Sequence, residues 1–575
     1  RNPGVRQLAA NPLLLTILAL MKRQGVTLPE RRVELYQRYV ETLLKHWNLA
    51  RSLGRPLTRD LDLIETLRVL APLALWMHET SQGKGLVKRE EVKRRLASLF
   101  AERGAADPEH QAEDFLGGVR GDAGLLVERG LGEYGFIHLT FQEYLAGVAL
   151  AQRGQQGIGP VVDALAAHVG DANWREVSRL TVGYLGIVQQ REEAATAVLD
   201  TLLRQAPGQP GEAVILAGEA VTDAWPGGVT ATCHTAVLNA LLATMRDHAR
   251  VKPPVRVEAG VVLARLGDPR DEVLHSAAME FCYVPAGPFW MGSKDDPDAE
   301  DNEQPHKLDI PYSYWIGRYP VTNAQFGEFA AAGGYREARY WGEAKAAGYW
   351  NSDGFKGWRD DEPRQKPYDL GEPYTLSNHP AVGVSWYEAL AYTRWLGNRL
   401  TGQIPAGWRV RLPNEPEWEK AARGGVEIPL QKLIRSAAKG LSGEETSPTR
   451  SNPQERRRYP WGNEPDANLA NSAESGIGAT SAVGCFAGGV SEYGVEELSG
   501  NVWEWTRSLY GKYRYPTGGA ELEQRENLAA GSSDWRVLRG GAYYVNRTHV
   551  RCARRYRYNP YLWYNNYGFR VVVSP

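Results

Sequence analysis

The chain has 575 residues, more than one hydrophobic core organises, so its length predicts two or three domains. Lys and Arg total 67 against 68 Asp and Glu, a net charge of −1, which excludes a whole-chain field for nucleic acid or a membrane surface. Hydrophobic residues at 43% exclude global disorder, no apolar run is long enough to span a bilayer, and four scattered cysteines (Cys233, Cys282, Cys485, Cys552) exclude a disulfide scaffold and a CxxC metal site.

In chain order, Arg1 opens mid-pattern and without Met, so the sequence reads as a fragment. Ala10, Leu14, Ile17 and Met21 follow a helical spacing, and Leu-, Ala- and Glu/Arg-rich stretches recur to about residue 265. Lys252-Pro253-Pro254 interrupts them. Val255 to Leu266 then predicts one more short helix, stopped by Gly267-Asp268-Pro269. The stretch 150–265 suits a worn helical repeat. Tryptophan divides the chain: four (Trp47, Trp76, Trp174, Trp225) precede residue 276 and fourteen follow it. The second half is rich in Gly, Pro, Trp and Tyr, which predicts a loop-rich α+β domain held by aromatic packing. Thr322…Gln325, Ser385…Glu388 and Asn414…Glu417 each place a capping residue three before Glu or Gln, predicting three short helices. Residues 430–457 read as a solvated insertion loop. Trp386, Trp395, Trp418, Trp503 and Trp505 are expected in the core, His306 and His379 in structural roles, and Cys552 as buried packing.

Two stretches of the first half carry a resemblance. They are Asn11-Pro12-Leu13-Leu14-Leu15-Thr16-Ile17-Leu18-Ala19-Leu20 and Phe136-Ile137-His138-Leu139-Thr140-Phe141-Gln142-Glu143-Tyr144-Leu145-Ala146. Together they resemble the helical and winged-helix regions that follow the nucleotide-binding core of NACHT-type signalling ATPases. Ile137, Phe141, Tyr144 and Val148 fit one helix face. No GxxxxGK[ST] occurs, so the ATPase core is absent from this chain. The resemblance implies that His138 approaches nucleotide phosphates only when that core is present, the alternative being a helix-start histidine with local hydrogen bonds.

The second half resembles the formylglycine-generating-enzyme/sulfatase-modifying-factor family, a variant of the C-type lectin fold. The motifs are Val284-Pro285-Ala286-Gly287-Pro288-Phe289-Trp290-Met291-Gly292-Ser293, Tyr319-Pro320-Val321-Thr322-Asn323 and His379-Pro380-Ala381-Val382-Gly383-Val384-Ser385-Trp386. Further on come Arg411-Leu412-Pro413-Asn414-Glu415-Pro416-Glu417-Trp418-Glu419, Gly500-Asn501-Val502-Trp503-Glu504-Trp505, Arg539-Gly540-Gly541 and Gly568-Phe569-Arg570. The expected organisation is a NACHT-associated helical and winged-helix region over 1–150, a helical, repeat-like region and linker over 151–275, and an α+β lectin-like domain over 276–575.

Oxidase members of that family bind copper through two cysteines after the Arg-Gly-Gly motif. Here Val545 stands at the first position and Cys552 lies too far along, so no copper is expected and the chain is expected not to be an enzyme. The rival is an oxidase of the formylglycine-generating type. Calcium is the metal that the resemblance implies, at Glu497, Gly500, Val502 and Glu504, and at a second site mapping to Asn468, Leu469, Ser475 and Ile477.

Residues 542–567 hold seven tyrosines, five arginines and four asparagines, with no Asp, Glu or Lys. Tyr, Asn, His, Val and Leu alternate between fixed positions, which resembles the variable proteins of diversity-generating retroelements. Tyrosine gives large rigid contact at low entropy cost and asparagine adaptable hydrogen bonds. The expected ligand-binding set is Tyr543, Tyr544, Asn546, His549, Tyr556, Tyr558, Tyr561, Trp563, Tyr564 and Tyr567. Tyr544, Tyr558, Tyr561, Trp563 and Tyr564 are expected to show their rings to solvent, over buried Arg539, Val550, Ala553 and Phe569. A plain structural ladder of Tyr and Arg is the bland alternative, and nucleic acid held by stacking the weaker one. The expected partner is a protein or other macromolecule, with no membrane, and the location cytoplasmic. Oligomerisation would run through the missing ATPase region.

Overall fold

A computed structural model describes residues 12–23, 29–51, 63–81, 85–118, 125–130, 132–205, 210–293, 296–443, 445, 447–511 and 514–575. The chain divides into two units between Leu241 and Leu242.

The first unit starts with helices Pro12–Arg23, Arg32–Arg51 and Leu63–Ser81. Of the expected stripe, Ala10 and the side chains of Leu14, Ile17 and Met21 lie outside the described residues. Strand β1 (Leu86–Lys88), helices Arg89–Ala101 and Pro108–Gly118, and strands β2 (Leu126–Glu128) and β3 (Glu133–Phe136) follow. They form an antiparallel sheet in the order β1-β3-β2. Gly135 on the central strand would bring a Cβ to 2.7 Å from the Gly85 carbonyl, so only glycine lets the two backbones meet there. The helix Leu139–Arg153 buries Phe141, Tyr144 and Val148 against this core, and Tyr144 stacks on Tyr36 at 5.8 Å.

The stretch after residue 150 is helical as expected: Gly159–Ala167, Arg175–Gly183, Glu192–Gln205, Glu212–Ala224 and Ala231–Arg246. It is not a separate unit. Arg32, from the second helix, pairs with Glu176 and Asp223, and Asp223 also holds Arg179 at 2.9 Å. That buried network ties residues 159–224 to the winged-helix part, because an isolated charge in such a setting is costly.

The second unit takes in residues 242–275, where the sequence predicts the end of the helical, repeat-like region and linker. Arg246 reaches Glu496 at 3.0 Å. From the helix Pro253–Leu266, Arg256 donates to the Asn468 carbonyl at 2.7 Å, and Gly260 accepts from Asn378 at 3.1 Å. Arg270 donates to the Val483 carbonyl at 2.7 Å. Long-range polar contacts of this kind leave no periodic trace in the sequence.

The unit's strands are β4 (Glu280–Val284), β5 (Gly287–Met291), β6 (His306–Ile310), β7 (Tyr314–Gly317), β8 (Trp350–Asn351) and β9 (Gly354–Phe355). They continue as β10 (Arg409–Arg411), β11 (Glu427–Pro429), β12 (Ile434–Ser436), β13 (Thr449–Ser451), β14 (Trp503–Leu509), β15 (Arg536–Arg539), β16 (Arg555–Tyr558), β17 (Tyr567–Gly568) and β18 (Val572–Ser574). A five-stranded antiparallel sheet runs β10-β18-β7-β4-β12, and a four-stranded sheet runs β16-β15-β14-β17, its last pair parallel. Residues 430–457 therefore depart from the expected loop. Ile434 to Ser436 add an edge to the larger sheet beside β4, and Thr449 to Ser451 pair with β11.

The three expected helices are Asn323–Ala331, Trp386–Arg399 and Glu415–Arg423, and each begins with a complete capping box. Trp386, Trp418, Trp503 and Trp505 are buried between the sheets and these helices, with Trp395 beside Phe329 and Tyr392. Among the described residues no helix is long and apolar enough to cross a membrane.

Candidate functional site

Arg539-Gly540-Gly541 ends β15 and turns the chain into the tyrosine-rich segment. Gly540 and Gly541 have φ of +97° and +77°. A Cβ on Gly541 would come within 2.6 Å of Val550 and 2.9 Å of the His549 carbonyl, so this return loop closes only over glycine. Arginines then pin the loop from below. Arg539 is fully buried, pairs with Glu419 and donates to the carbonyls of Cys552 and Ala553. Arg551 forks onto Glu303 at 2.7 and 2.9 Å, and Arg555 onto Glu415. Val550, Ala553 and Phe569 are buried with them.

On this frame stand the tyrosines. Tyr544 is 53% exposed, and Tyr556, Tyr558, Tyr561 and Tyr564 are half-buried. Tyr558 and Tyr564 place their hydroxyls 3.3 Å apart, and burial, with Tyr558 beside it, pushes the Tyr564 phenol up to about 12. Of the five rings expected toward solvent Trp563 is buried, and so are Tyr543 and Tyr567 of the expected ligand-binding set. Tyr543 is buried with its hydroxyl on Tyr374 at 3.2 Å, and Trp563 is covered by Tyr368, whose ring stacks on it at 4.0 Å. Tyr567 lies on β17 with its ring edge against Trp505. Asn546 and His549 form a turn of their own, with Asn546 Oδ1 accepting from the Thr548 backbone at 3.1 Å and lying 2.9 Å from His549 Nδ1.

A second wall of this face was missed in the sequence. Tyr349 stacks on Tyr561 at 4.9 Å and 5°, Trp358 packs on Tyr564 at 5.3 Å, and Tyr368 and Tyr374 cover Trp563 and Tyr543. The one available signal was the density of aromatic residues between 349 and 374 in an otherwise polar stretch.

The residues implied for calcium do not fit the ion. Both Glu504 oxygens are engaged: Arg570 donates to them at 2.6 and 2.7 Å and the Trp418 indole at 2.7 Å. Glu497 accepts from the Gly484 amide and from Asn501, and burial pushes its carboxyl up to about 7, which disfavours the charge a cation needs. The Gly500 carbonyl accepts from the Val502 amide. At the second place, near Leu469 and Ile477, a guanidinium already sits: Arg256 donates to the Asn468 carbonyl, while the Ser475 hydroxyl donates to Ser472. Copper fits no better. Cys552 is fully buried and its thiol is pushed up to about 12 by burial, so it does not supply a thiolate. His138 caps the helix Leu139–Arg153 by accepting from the Thr140 amide, and burial lowers its pKa.

Residues 270–575 match the family described as the sulfatase-modifying factor enzyme 1-like domain, and residues 32–150 match the winged helix-turn-helix domain C-terminal to NACHT. A hercynine oxygenase of Mycolicibacterium thermoresistibile is 34% identical over 279 residues, 45% of this chain and 50% of that protein. The formylglycine-generating enzyme of Mus musculus is 27% identical, over 51% of this chain and 74% of its own length. Treponema denticola variable protein 1 aligns over 51% of this chain and 95% of its own, at 19% identity and a TM-score of 0.31. This chain spans about half the length of the hercynine oxygenases it matches. The expectation that the chain is not an enzyme is overturned here, since these sequence relatives are enzymes by name.

Proposed function

The chain belongs to the sulfatase-modifying factor enzyme 1-like family, and from that premise we propose that its C-terminal domain recognises a ligand on the tyrosine face. One observation carries this reading: Tyr544 is 53% exposed, and Tyr558, Tyr561 and Tyr564 stand half-buried on the aromatic core, above buried Arg539, Val550, Ala553 and Phe569. Tyr and Trp concentrate binding energy because they bury large rigid area with one polar tip. A polypeptide suits the face, since its rings and hydroxyls can take both side chains and backbone amides. The winged-helix part couples that recognition to a NACHT-type signalling module outside this chain. The four cysteines are free and buried, which suits the cytoplasm.

The test is a peptide-display selection against the chain, followed by binding of the enriched peptides to the variant with those four tyrosines changed to Ser. Loss of binding with retained folding supports the face, and equal binding by the variant rejects it. Diversification of the surface predicts a reverse transcriptase gene nearby, with a near-copy of the coding end that differs mainly at adenines.

The relatives named as enzymes favour a second reading, in which the molecule held on the face is also turned over. Oxygen uptake with hercynine, or aldehyde formation on a cysteine-containing sulfatase peptide, would support it. Failure of both would remove it without touching the binding result.

A further inference from the structure

Strand β16 reads Arg555-Tyr556-Arg557-Tyr558, so its tyrosines and arginines point to opposite sides of the sheet. Tyr556 and Tyr558 pack on the aromatic core. Arg555 and Arg557 lie instead over the Tyr510 ring, at 4.8 and 4.3 Å, and Arg557 also lies 4.1 Å over Trp535. The two differ in what balances their charge. Arg555 is buried and paired with Glu415, as Arg539, Arg551, Arg554 and Arg570 are with carboxylates of their own. Arg557 is exposed, and among the described residues it has two aromatic partners and no ion pair.

Tyr510 and Trp535 also wall an open groove of about 540 Å³ that Arg514 and Arg525 line together with Glu521 and Asp534. One Asp534 oxygen is taken by the Gly531 amide. Arg557 does not line the groove but lies over the Tyr510 and Trp535 rings at its edge. With it counted, the described residues set three guanidinium groups, one of them Arg525 on the Leu509 carbonyl, against two carboxylates, an excess of one positive charge. Trp535 keeps 44% of its surface exposed.

We propose that this groove is a second binding site, for a molecule that joins a carboxylate to a flat apolar body. The guanidinium fork matches a carboxylate in two parallel hydrogen bonds, and stacking on two rings fixes its plane before the ligand arrives. Less ordering is then left for binding to supply. An excess of one charge suits a monoanion over a dianionic phosphate, and the exposed part of Trp535 that Arg557 does not cover gives the flat body an apolar contact.

The probes are benzoate, its neutral analogue benzamide, and inorganic phosphate, each titrated into the full chain. The readout is the Trp535 indole N–H resonance, identified by its disappearance in Trp535→Phe. Benzoate is expected to shift it saturably, with benzamide and phosphate at least about tenfold weaker. Arg557→Gln should weaken benzoate by at least about tenfold while leaving the melting temperature unchanged, because the side chain is exposed. No saturable shift, benzamide or phosphate binding as well as benzoate, or an Arg557→Gln variant that binds like the parent would each overturn the proposal.

Discussion

His379 is fully buried, with Nδ1 3.0 Å from the Thr480 hydroxyl and Nε2 lacking a hydrogen-bond partner among the described residues. Burial pushes its pKa down from 6.5 to about 3. The unfolded chain therefore binds a proton there below pH 6.5 that the folded chain refuses until about 3. Stability is fully present above 6.5 and falls with pH, by about 2 kcal/mol at pH 5. His379→Asn should flatten the urea-unfolding curve against pH across that window. Glu497 acts with the opposite sign. Burial raises its carboxyl from 4.5 to about 7, so its contribution is present below 4.5 and lost as pH rises through 7, about 3 kcal/mol by pH 8. Glu497→Gln should raise the midpoint at pH 8 and leave it unchanged at pH 4; equal midpoints at pH 8 would show that the carboxyl is not held neutral. Both residues were singled out in the sequence, His379 as structural and Glu497 as a cation ligand. Their titration depends on burial that no local pattern announces.

Ser385 Oγ accepts from the Glu388 amide at 3.3 Å and donates to its carboxylate at 2.8 Å, while that carboxylate also accepts from the Ser385 amide. Ser385→Ala should cost about 1–2 kcal/mol in chemical unfolding, as for the loss of a helix cap. Such caps were legible because donor and acceptor lie three residues apart, and the helices they start were found where expected. The second aromatic wall was not, because Tyr349 meets Tyr561 only after the chain has crossed the whole domain. The strands inside 430–457 were hidden for a related reason: Ile434 to Ser436 are short and polar, and gain their identity from β4. The two loops assigned to calcium carry arginine instead, Arg570 on Glu504 and Arg256 on the Asn468 carbonyl. Melting in excess chelator should match melting in calcium, and a clear drop with chelator would show that an ion does bind.

The second unit begins at Leu242, ahead of the family match at residue 270, and Arg246 and Arg256 explain the difference. A fragment 242–575 should fold and melt cooperatively. A fragment 276–575 should melt lower or aggregate, because Glu496 keeps Arg318 but loses Arg246, and the Asn468 and Val483 carbonyls lose their donors Arg256 and Arg270. Both resemblances were legible at this scale, since ordered motifs survive across hundreds of residues; whether the face binds or also transforms its ligand is written in no motif. Ligand recognition on the tyrosine face predicts that the frame keeps its stability when the face is changed. The most direct measurement is chemical unfolding of Tyr544→Ser, Tyr558→Ser, Tyr561→Ser and Tyr564→Ser, one at a time, beside Phe569→Ala. Each tyrosine change should cost about 1 kcal/mol or less, against about 3–5 kcal/mol for the buried Phe569. A tyrosine variant as damaging as Phe569→Ala would place that ring in the core and contradict the separation of face from frame.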